Sequence, residues 1–283
     1  MTKEEIDKIE QDIFEYGLLQ FRKYDTFLIS NLIENKISFG APQNFNDPFD
    51  CNLPIDLDNT LSEYIDFIRY YSGSIYQSNE WIVETGTRLF NNSKKFKTDF
   101  VKMLFNNRRF SCFNLAKKKQ HLRNSLFWAN YSNKHQGICM KFSGNLLKYY
   151  HDCFPGTIQL VPVEYKKNNI PEFNFIKNRV NGEKESSAQY FFGTKSSDWA
   201  YEEEIRFIYD SNGEKIEPYI NFEFDPKTLD KVYLGCKITE NEQKVILHCL
   251  SDEKYDHIDI YRLEMDDKRF KLNDKLIIQG KKS

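Results

Sequence analysis

The chain has 283 residues, with 40 Lys and Arg against 42 Asp and Glu, so its formal net charge is −2. This balance argues against a protein dedicated to clamping nucleic acid, which would carry a basic excess. Aromatic residues make up 16% of the chain and charged residues 29%, a composition typical of a folded, water-exposed protein and not of a disordered or membrane-embedded one.

Targeting and metal-binding signals are absent from the sequence. The charged residues 1–5 precede no apolar segment, and no stretch approaches the roughly 20 apolar residues of a membrane span, so we expect a cytoplasmic protein with no membrane partner. The six cysteines are widely spaced, which predicts free thiols. Because neither CxxC nor HxxxH occurs, we predict no metal site.

Common catalytic fingerprints are missing as well. A P-loop, a GxGxxG turn, a GxSxG elbow and an HExxH helix do not occur, which excludes the enzyme classes that these motifs identify. Two interpretations of Cys112 stay open: it is a lone cysteine nucleophile, or it is a buried cysteine on a strand.

The first hundred residues are predicted to be mostly helical. A capping box at Thr2 and Glu5 with apolar residues at helical spacing predicts a helix over 3–16, followed by a strand over 18–24 and a helix over 26–36. Residues 58–107 have a helical pattern throughout, with a second capping box at Thr60 and Glu63. We predict a helical insertion at 55–107 within one domain that spans 1–283.

Strands dominate from Arg108 onward. They are predicted at 109–114, 137–142, 157–165, 203–209, 217–224, 231–236 and 257–263, with turns at 181–182, 212–213 and 225–226. Helices are predicted at 120–133, 184–193 and 240–250, the last opened by a capping box at Thr239 and Glu242. The irregular alternation predicts an α+β fold, with a mixed, largely antiparallel sheet in one piece or split, and flanking helices.

The segment from Trp199 to Phe207 carries the most chemical information. On a strand, the two-residue period places Glu202, Glu204 and Arg206 on one face. A guanidinium beside Glu204 keeps that carboxylate ionised, and a second carboxylate nearby suits reactions that pass through an oxocarbenium-like sugar. The alternative is a solvated charged face with a weak salt bridge.

Three further motifs are candidates for ligand binding. The segment 45–50 predicts a rigid turn that either only turns the chain or presents Asn46 and Asp47 to a ligand. His135 is expected at a helix-to-strand corner, where loops often display functional groups, or on a plain exposed loop. In the strand at 21–24, Arg22 suits either a phosphate contact or a charged sheet edge.

Taken together, these motifs resemble a bacterial family known as domain of unknown function 2971. The resemblance runs over most of the chain, through Phe21 to Tyr24, Asn46-Asp47-Pro48-Phe49, Cys112-Phe113, Trp128, Tyr131, His135-x-Gly137-Ile138-Cys139, Val163-x-Tyr165, Lys195, Tyr201-Glu202-x-Glu204-x-Arg206 and Val232-x-Leu234-Gly235. The family often has His where this chain has Asn130, and Asn cannot replace the proton chemistry of His.

The family has no generally assigned reaction, so the resemblance implies little chemistry directly. It implies an accessory gene of bacteria or phages, of the kind tied to antiviral defence or to toxins. The order of an early basic strand, a middle aromatic element and a late Glu-x-Glu strand is also similar to ADP-ribosyltransferase folds.

On this basis we predict an ADP-ribosyltransferase-like enzyme that consumes NAD. Glu204 would stabilise the ribosyl cation, Glu202 would orient the acceptor and Arg206 would set the carboxylate geometry. In the cofactor site, Arg22 would contact the pyrophosphate. One of Tyr24, Trp128 and Tyr131 would stack on the nicotinamide. The other predicted binding residues are Asn46, Asp47 and His135.

Two other functions stay open. A toxin-type ribonuclease would use His135, Glu202 and Glu204, helped by a basic patch that includes residues 117–119. A non-catalytic sensor or immunity protein would act through a partner, with the charged segment as its binding face. The acceptor, whether protein or nucleic acid, and any neutralising partner are not specified by the sequence.

Overall fold

The fold is taken from a computed structural model that describes residues 3–73, 77–117, 120–167, 169–170, 173–180, 187–214 and 216–281. The predicted cap residue Thr2, the turn at 181–182 and residues 118–119 of the basic patch lie outside the described residues.

A large sheet organises the molecule. The strands are β1 Leu18–Arg22, β2 Lys36–Gly40, β3 Arg108–Leu115, β4 Ile138–Phe142, β5 Ile158–Pro162, β6 Glu164–Lys166, β7 Thr194–Ser196, β8 Glu204–Asp210, β9 Tyr219–Glu223, β10 Leu229–Leu234, β11 Asp259–Met265 and β12 Leu272–Ile278. Ten of them form one sheet, whereas β6 and β7 pair separately and in parallel. Within the described residues, only the β10–β11 pair of the large sheet is parallel. The predicted α+β class with a largely antiparallel sheet is confirmed.

The large sheet divides at β3. β8 pairs along the whole of one edge of β3 and continues to β5. At the other edge, the end of β3 pairs with β1, which continues to β4-β10-β11-β12, whereas Phe110 pairs with β2, which continues to β9. β1 pairs with β3 only through Leu18 and Leu19, while the rest of β1 pairs with β4 alone. The backbones of β1 and β3 therefore diverge after Leu19, and an opening in the sheet lies along this edge of β3 between β1 and β2. Gln20 Nε2 donates to Ser111 Oγ at 2.8 Å across it.

Helices cover the sheet. They are α1 Lys3–Tyr16, α2 Thr26–Ile33, α3 Leu61–Ser72, α4 Asn79–Asn91, α5 Ser93–Asn106, α6 Gln120–Arg123, α7 Ser125–Tyr131, α8 Asn145–Cys153, α9 Phe175–Val180, α10 Ser187–Phe192 and α11 Glu240–Cys249. Short 3₁₀ helices span Pro42–Asn44, Ser197–Glu202, Pro226–Thr228 and Glu253–Tyr255. The capping boxes predicted for α3 and α11 both form, because all their hydrogen bonds lie within one turn.

Several predicted boundaries were wrong for local reasons. The helix predicted over 120–133 is two helices, since Asn124 accepts a hydrogen bond from the Leu126 amide and starts α7 anew. The strand predicted over 157–165 is interrupted at Val163, and its halves β5 and β6 belong to different sheets. Of the helix predicted over 184–193, the described part is helical over Ser187–Phe192.

The core has three apolar clusters around the dividing sheet. The first lies under α1, α2, α8 and α11, and the second joins α3, α5, α9 and α10 to one branch of the sheet. The third surrounds Trp128 and includes Phe21 of β1. In the described part of the chain, no helix is long and apolar enough to cross a membrane.

Candidate functional site

A small cavity lies at the opening of the sheet. Its volume is about 100 Å³, and it is lined by Phe21, Phe45, Asn46, Asp50, Cys112, Asn114, Tyr131, Lys195, Glu202 and Glu204. Phe21 belongs to β1 and Cys112 and Asn114 belong to β3, so the divergence of these two strands forms two of its walls.

A rigid turn brings Asp50 to the cavity. The Phe49 amide donates to Asp47 Oδ1 at 3.0 Å and the Asp50 amide donates to Asp47 O at 3.1 Å, so the turn predicted at 45–50 is present. Cys51 continues it in the left-handed region at φ 55°. Asp47 therefore shapes the turn, and the carboxylate that faces the cavity is that of Asp50.

A second tight turn separates the two glutamates. Glu202 ends the 3₁₀ helix Ser197–Glu202, and Glu203 lies in the left-handed region at φ 45° before β8 begins at Glu204. The prediction that Glu202 shares a strand face with Glu204 and Arg206 was wrong. A left-handed residue redirects the chain between the glutamates, yet both carboxylates still reach the same cavity.

Lys195 joins the two carboxylates. Its Nζ lies 2.7 Å from Glu202 Oε2, 3.0 Å from Glu204 Oε2 and 3.5 Å from Asp50 Oδ2. The ammonium also lies 4.9 Å from the centre of the Trp199 ring. Because one ammonium contacts both glutamates, their carboxylate oxygens are neighbours across it.

Arg206 fixes Glu204 and Asp50 from behind the cavity. Its Nε donates to Glu204 Oε1 at 2.8 Å, and its Nη2 donates to Glu204 Oε2 at 3.1 Å and to Asp50 Oδ2 at 2.8 Å. Nη1 donates to the Phe192 carbonyl at 2.9 Å. Arg206 is fully buried at 0% exposure and does not line the cavity. It is a positioning residue, and it acts on the cavity through the two carboxylates it holds.

The cluster carries an excess of negative charge. The carboxylates of Asp50, Glu202 and Glu204 face the two cations Lys195 and Arg206, so the fully ionised set has a net charge of −1. Asp50 Oδ1 has no hydrogen-bond partner among the described residues although it is buried. Such a site favours a ligand that supplies a positive charge or a hydrogen-bond donor.

The two glutamates titrate in opposite directions. Burial raises the pKa of Glu202 to about 6, with a further contribution from Glu204 and opposition from Lys195. Burial acts in the same sense on Glu204, but Arg206 and Lys195 outweigh it and hold the pKa of that carboxyl far below its ordinary value. Glu204 therefore stays ionised at neutral pH, whereas Glu202 gains or loses a proton at a pH of about 6.

Tyr131 and Asn114 hold Glu202. The Tyr131 hydroxyl donates a hydrogen bond to Glu202 Oε1, and Asn114 Nδ2 donates to the Glu202 carbonyl at 2.8 Å. Burial and the neighbouring Glu202 charge raise the pKa of Tyr131 above its ordinary value, so the phenol keeps its proton. Glu202 is 2% exposed.

The cysteine at the cavity is not an activated nucleophile. Burial raises the pKa of Cys112 well above its ordinary value, and the Glu204 carboxylate acts in the same direction. The thiol of Cys112 is therefore protonated at neutral pH. Cys112 lies on a strand, as the alternative interpretation expects, but it is only partly buried.

The cavity contains only part of the residues predicted to bind a cofactor. Asn46 and Tyr131 line it, whereas Arg22, Tyr24, Asp47, Trp128 and His135 do not. Trp128 is fully buried, donates from its indole nitrogen to the Leu122 carbonyl at 2.8 Å and packs edge-on against Phe21. It supports a wall of the cavity and cannot stack on a ligand there.

The remaining predicted residues lie at other places. Arg22 ends β1 half-buried, and burial lowers its pKa. Tyr24 packs against the first core cluster. His135 lies at the predicted corner between α7 and β4 with φ 72° and lines a different cavity. Burial lowers the pKa of His135, and Lys237 adds to the effect.

Sequence reasoning gave no role to two charged members of the site, Asp50 and Lys195. Lys195 was part of the family resemblance, and Asp50 directly follows the Asn-Asp-Pro-Phe turn. The sequence therefore contained a signal for both residues. It did not indicate that they lie close to Glu204 in the fold.

A larger cavity adjoins the first at Lys195. Its volume is about 370 Å³, and it is lined by Phe49, Leu53, Lys166, Asn169, Ile170, Thr194, Lys195, Ser196, Ser197 and Asp198. Since Lys195 lines both spaces, a ligand that fills the larger cavity contacts the residue that bridges Glu202 and Glu204.

Comparison with known proteins gives a match to a segment that contributes most of the charged residues of this site. Residues 127–207 match the model of a family described as Protein of unknown function (DUF2971). Neither the comparison with curated proteins nor that with solved structures gave a match. The matched segment includes Tyr131 and four of the five charged residues of the cluster, which are Lys195, Glu202, Glu204 and Arg206. The earlier and later motifs of the resemblance lie outside it.

Proposed function

We propose that the cavity cleaves the N-glycosidic bond of NAD, as an ADP-ribosyltransferase or an NAD glycohydrolase. The observation that carries the proposal is the pair of buried glutamates, one permanently ionised and one titrating near pH 6, in a net negative cavity with aromatic walls. The substrate of this reaction has a positively charged pyridinium ring, and the sugar develops positive charge as the bond breaks.

The charge balance suits such a substrate. With Asp50, Glu202 and Glu204 against two cations, the ionised cluster has one uncompensated negative charge. A pyridinium between Phe21, Phe45 and Tyr131 would neutralise it and would stack on or contact the rings.

Each glutamate has a separate task in the proposed step. The bond between the ribose C1′ and the pyridinium nitrogen breaks, its electron pair goes to the nitrogen, and neutral nicotinamide leaves. Glu204, held ionised by Arg206 and Lys195, stabilises the resulting cation at C1′. An acceptor hydroxyl or water then attacks C1′, and Glu202 takes its proton.

The adjoining cavity gives room for the rest of the dinucleotide. Binding sites for small molecules are usually about 300–1,000 Å³. The first cavity, at about 100 Å³, is well below this range and has room for little more than one ring, whereas the second, at about 370 Å³, lies within it. In the second, the phosphates would lie near Ser197 and near Lys166, whose Nζ pairs with Glu164 Oε2 at 2.8 Å.

No specific observation in the structure favours either of the other two functions, the ribonuclease or the non-catalytic binding protein. A ribonuclease built on His135, Glu202 and Glu204 would need the three side chains together, but His135 lines a different cavity from the glutamates. A non-catalytic partner-binding face would need exposed carboxylates, but Glu202 and Glu204 are both buried.

The test is release of nicotinamide from NAD by the full chain, with and without candidate protein and nucleic-acid acceptors. We expect release by the wild type and a loss of roughly a hundredfold or more in Glu204→Gln and in Glu202→Gln. Glu264→Gln, an exposed glutamate on β11, is the matched control and should keep wild-type activity.

Thermal unfolding must show that each variant is folded before its rate is compared. The proposal fails if the wild type releases no nicotinamide with any acceptor, or if folded Glu204→Gln releases it at the wild-type rate.

A further inference from the structure

A second candidate site lies at the other end of the sheet, on the hairpin between β11 and β12. Its tip carries two acidic residues, Asp266 and Asp267, and three basic residues, Lys268, Arg269 and Lys271, which surround Phe270 in the chain. The Phe270 side chain is fully exposed, and no group among the described residues covers it. The ring is thus exposed beside cations that precede and follow it in the chain.

The tip is held in place by its own hydrogen bonds. The Asp266 amide donates to the Lys271 carbonyl at 3.0 Å, and Asp266 Oδ1 accepts from the Lys268 amide at 2.9 Å. Asn273 Nδ2 donates to Asp266 Oδ2 at 3.0 Å. The ring is therefore presented by a defined turn.

A cavity of about 320 Å³ lies at the base of the tip, and its charged lining is strongly basic. Its cations are Arg123, Lys237, Arg269 and Lys271, against the single acid Asp266, and His135 also lines it. Met265 and Phe270 supply apolar surface, and both are exposed. This lining shares no residue with the cavity that contains Glu204.

Most of these cations are not neutralised. Within the described part of the chain, Lys237, Arg269 and Lys271 form no ion pair within 4.0 Å, whereas Arg123 contacts Asp274 at 3.3 Å. His135 Nδ1 is buried without a hydrogen-bond partner among the described residues. The site thus has positive charge that remains available to a ligand.

We propose that this hairpin and the cavity at its base bind single-stranded nucleic acid. Phosphates would contact Lys237, Arg269 and Lys271, and a base would stack on Phe270. Stacking on an exposed aromatic and contacts between cations and the backbone are the two interactions by which proteins bind single strands without sequence preference. The net charge of −2 does not prevent this, because the interaction depends on the local cluster.

Binding of a fluorescein-labelled 12-mer of thymidine or uridine, measured by anisotropy, tests the site. We expect Phe270→Ala to weaken binding roughly tenfold or more. The paired change Arg269→Gln and Lys271→Gln should reduce the slope of log K against log salt by about 1.4, since each neutralised phosphate contributes about 0.7 for a single strand. Phe270→Trp should keep binding, and its fluorescence should be quenched by the oligonucleotide.

Two control variants have the same chemistry at other places. Phe27→Ala removes an exposed ring on α2 and Lys94→Gln removes a charge on α5, and both should bind like the wild type. The proposal is overturned if Phe270→Ala binds as tightly as the wild type, if the controls weaken binding equally, or if anionic lipid vesicles bind and the oligonucleotide does not. Because the Phe270 side chain is fully exposed, these variants should fold, and the result does not depend on NAD cleavage.

Discussion

The two candidate sites use the same kinds of charged residue in opposite settings. At the dividing sheet, Lys195 and Arg206 are buried and each contacts two or more carboxylates. At the hairpin, Arg269 and Lys271 line an open cavity without an ion pair within the described residues. Burial therefore turns charges into a rigid frame that fixes the pKa values of the glutamates, while exposure leaves charges available to a ligand.

The largest effect is expected from removing the buried guanidinium. Arg206→Met leaves Asp50 and Glu204 buried without their main partner, and such a loss costs about 3–5 kcal/mol. The free energy of unfolding from urea titration measures it. Arg206→Lys should recover only part of the stability, because an ammonium cannot bond both oxygens of Glu204 in one plane as Arg206 does.

A small loss in Arg206→Met would contradict this view of the frame. It would mean that Asp50 and Glu204 take up protons or water easily, and then the depressed pKa of Glu204 would not be a fixed property of the site.

The second effect concerns the pH dependence of stability. The pKa of Glu202 is about 6 in the folded chain against an ordinary value of 4.5, so the folded state binds the proton more tightly. The stabilisation that this tighter proton binding adds to the free energy of unfolding is complete below pH 4.5 and is lost as the pH rises through 6.

We expect the wild type to lose about 1–2 kcal/mol relative to Glu202→Gln between pH 4.5 and 7. Urea titrations at several pH values give the difference. Glu264→Gln should follow the wild type throughout, and parallel curves for Glu202→Gln and the wild type would show that Glu202 does not titrate in this window.

Local features of the fold could be predicted from the sequence, whereas long-range ones could not. The capping boxes of α3 and α11 involve residues three positions apart, so the pattern itself contains the interaction. By contrast, β12 was not predicted, because most of its residues are exposed and give no alternating apolar pattern. The separation of α6 from α7 depends on one side-chain bond at Asn124.

The same distinction holds within the first site. The spacing of Glu204 and Arg206 correctly predicted that they share a strand face and interact. The meeting of Arg206 with Asp50 joins residues 156 positions apart, which no local pattern reports. The left-handed conformation of Glu203 is also a tertiary effect, because the residue type alone does not favour it.

The smallest effect is expected from an exposed pair of the same chemistry. Lys148 Nζ lies 2.5 Å from Asp152 Oδ2 on α8, with side chains 64% and 62% exposed. In water the attraction is screened and offset by the lost freedom of two flexible side chains, so Lys148→Met should leave the free energy of unfolding within the error of a urea titration. A loss approaching that of Arg206→Met would show that distance, and not burial, sets the strength of these ion pairs. The contrast between buried and exposed charges would then no longer explain the two sites.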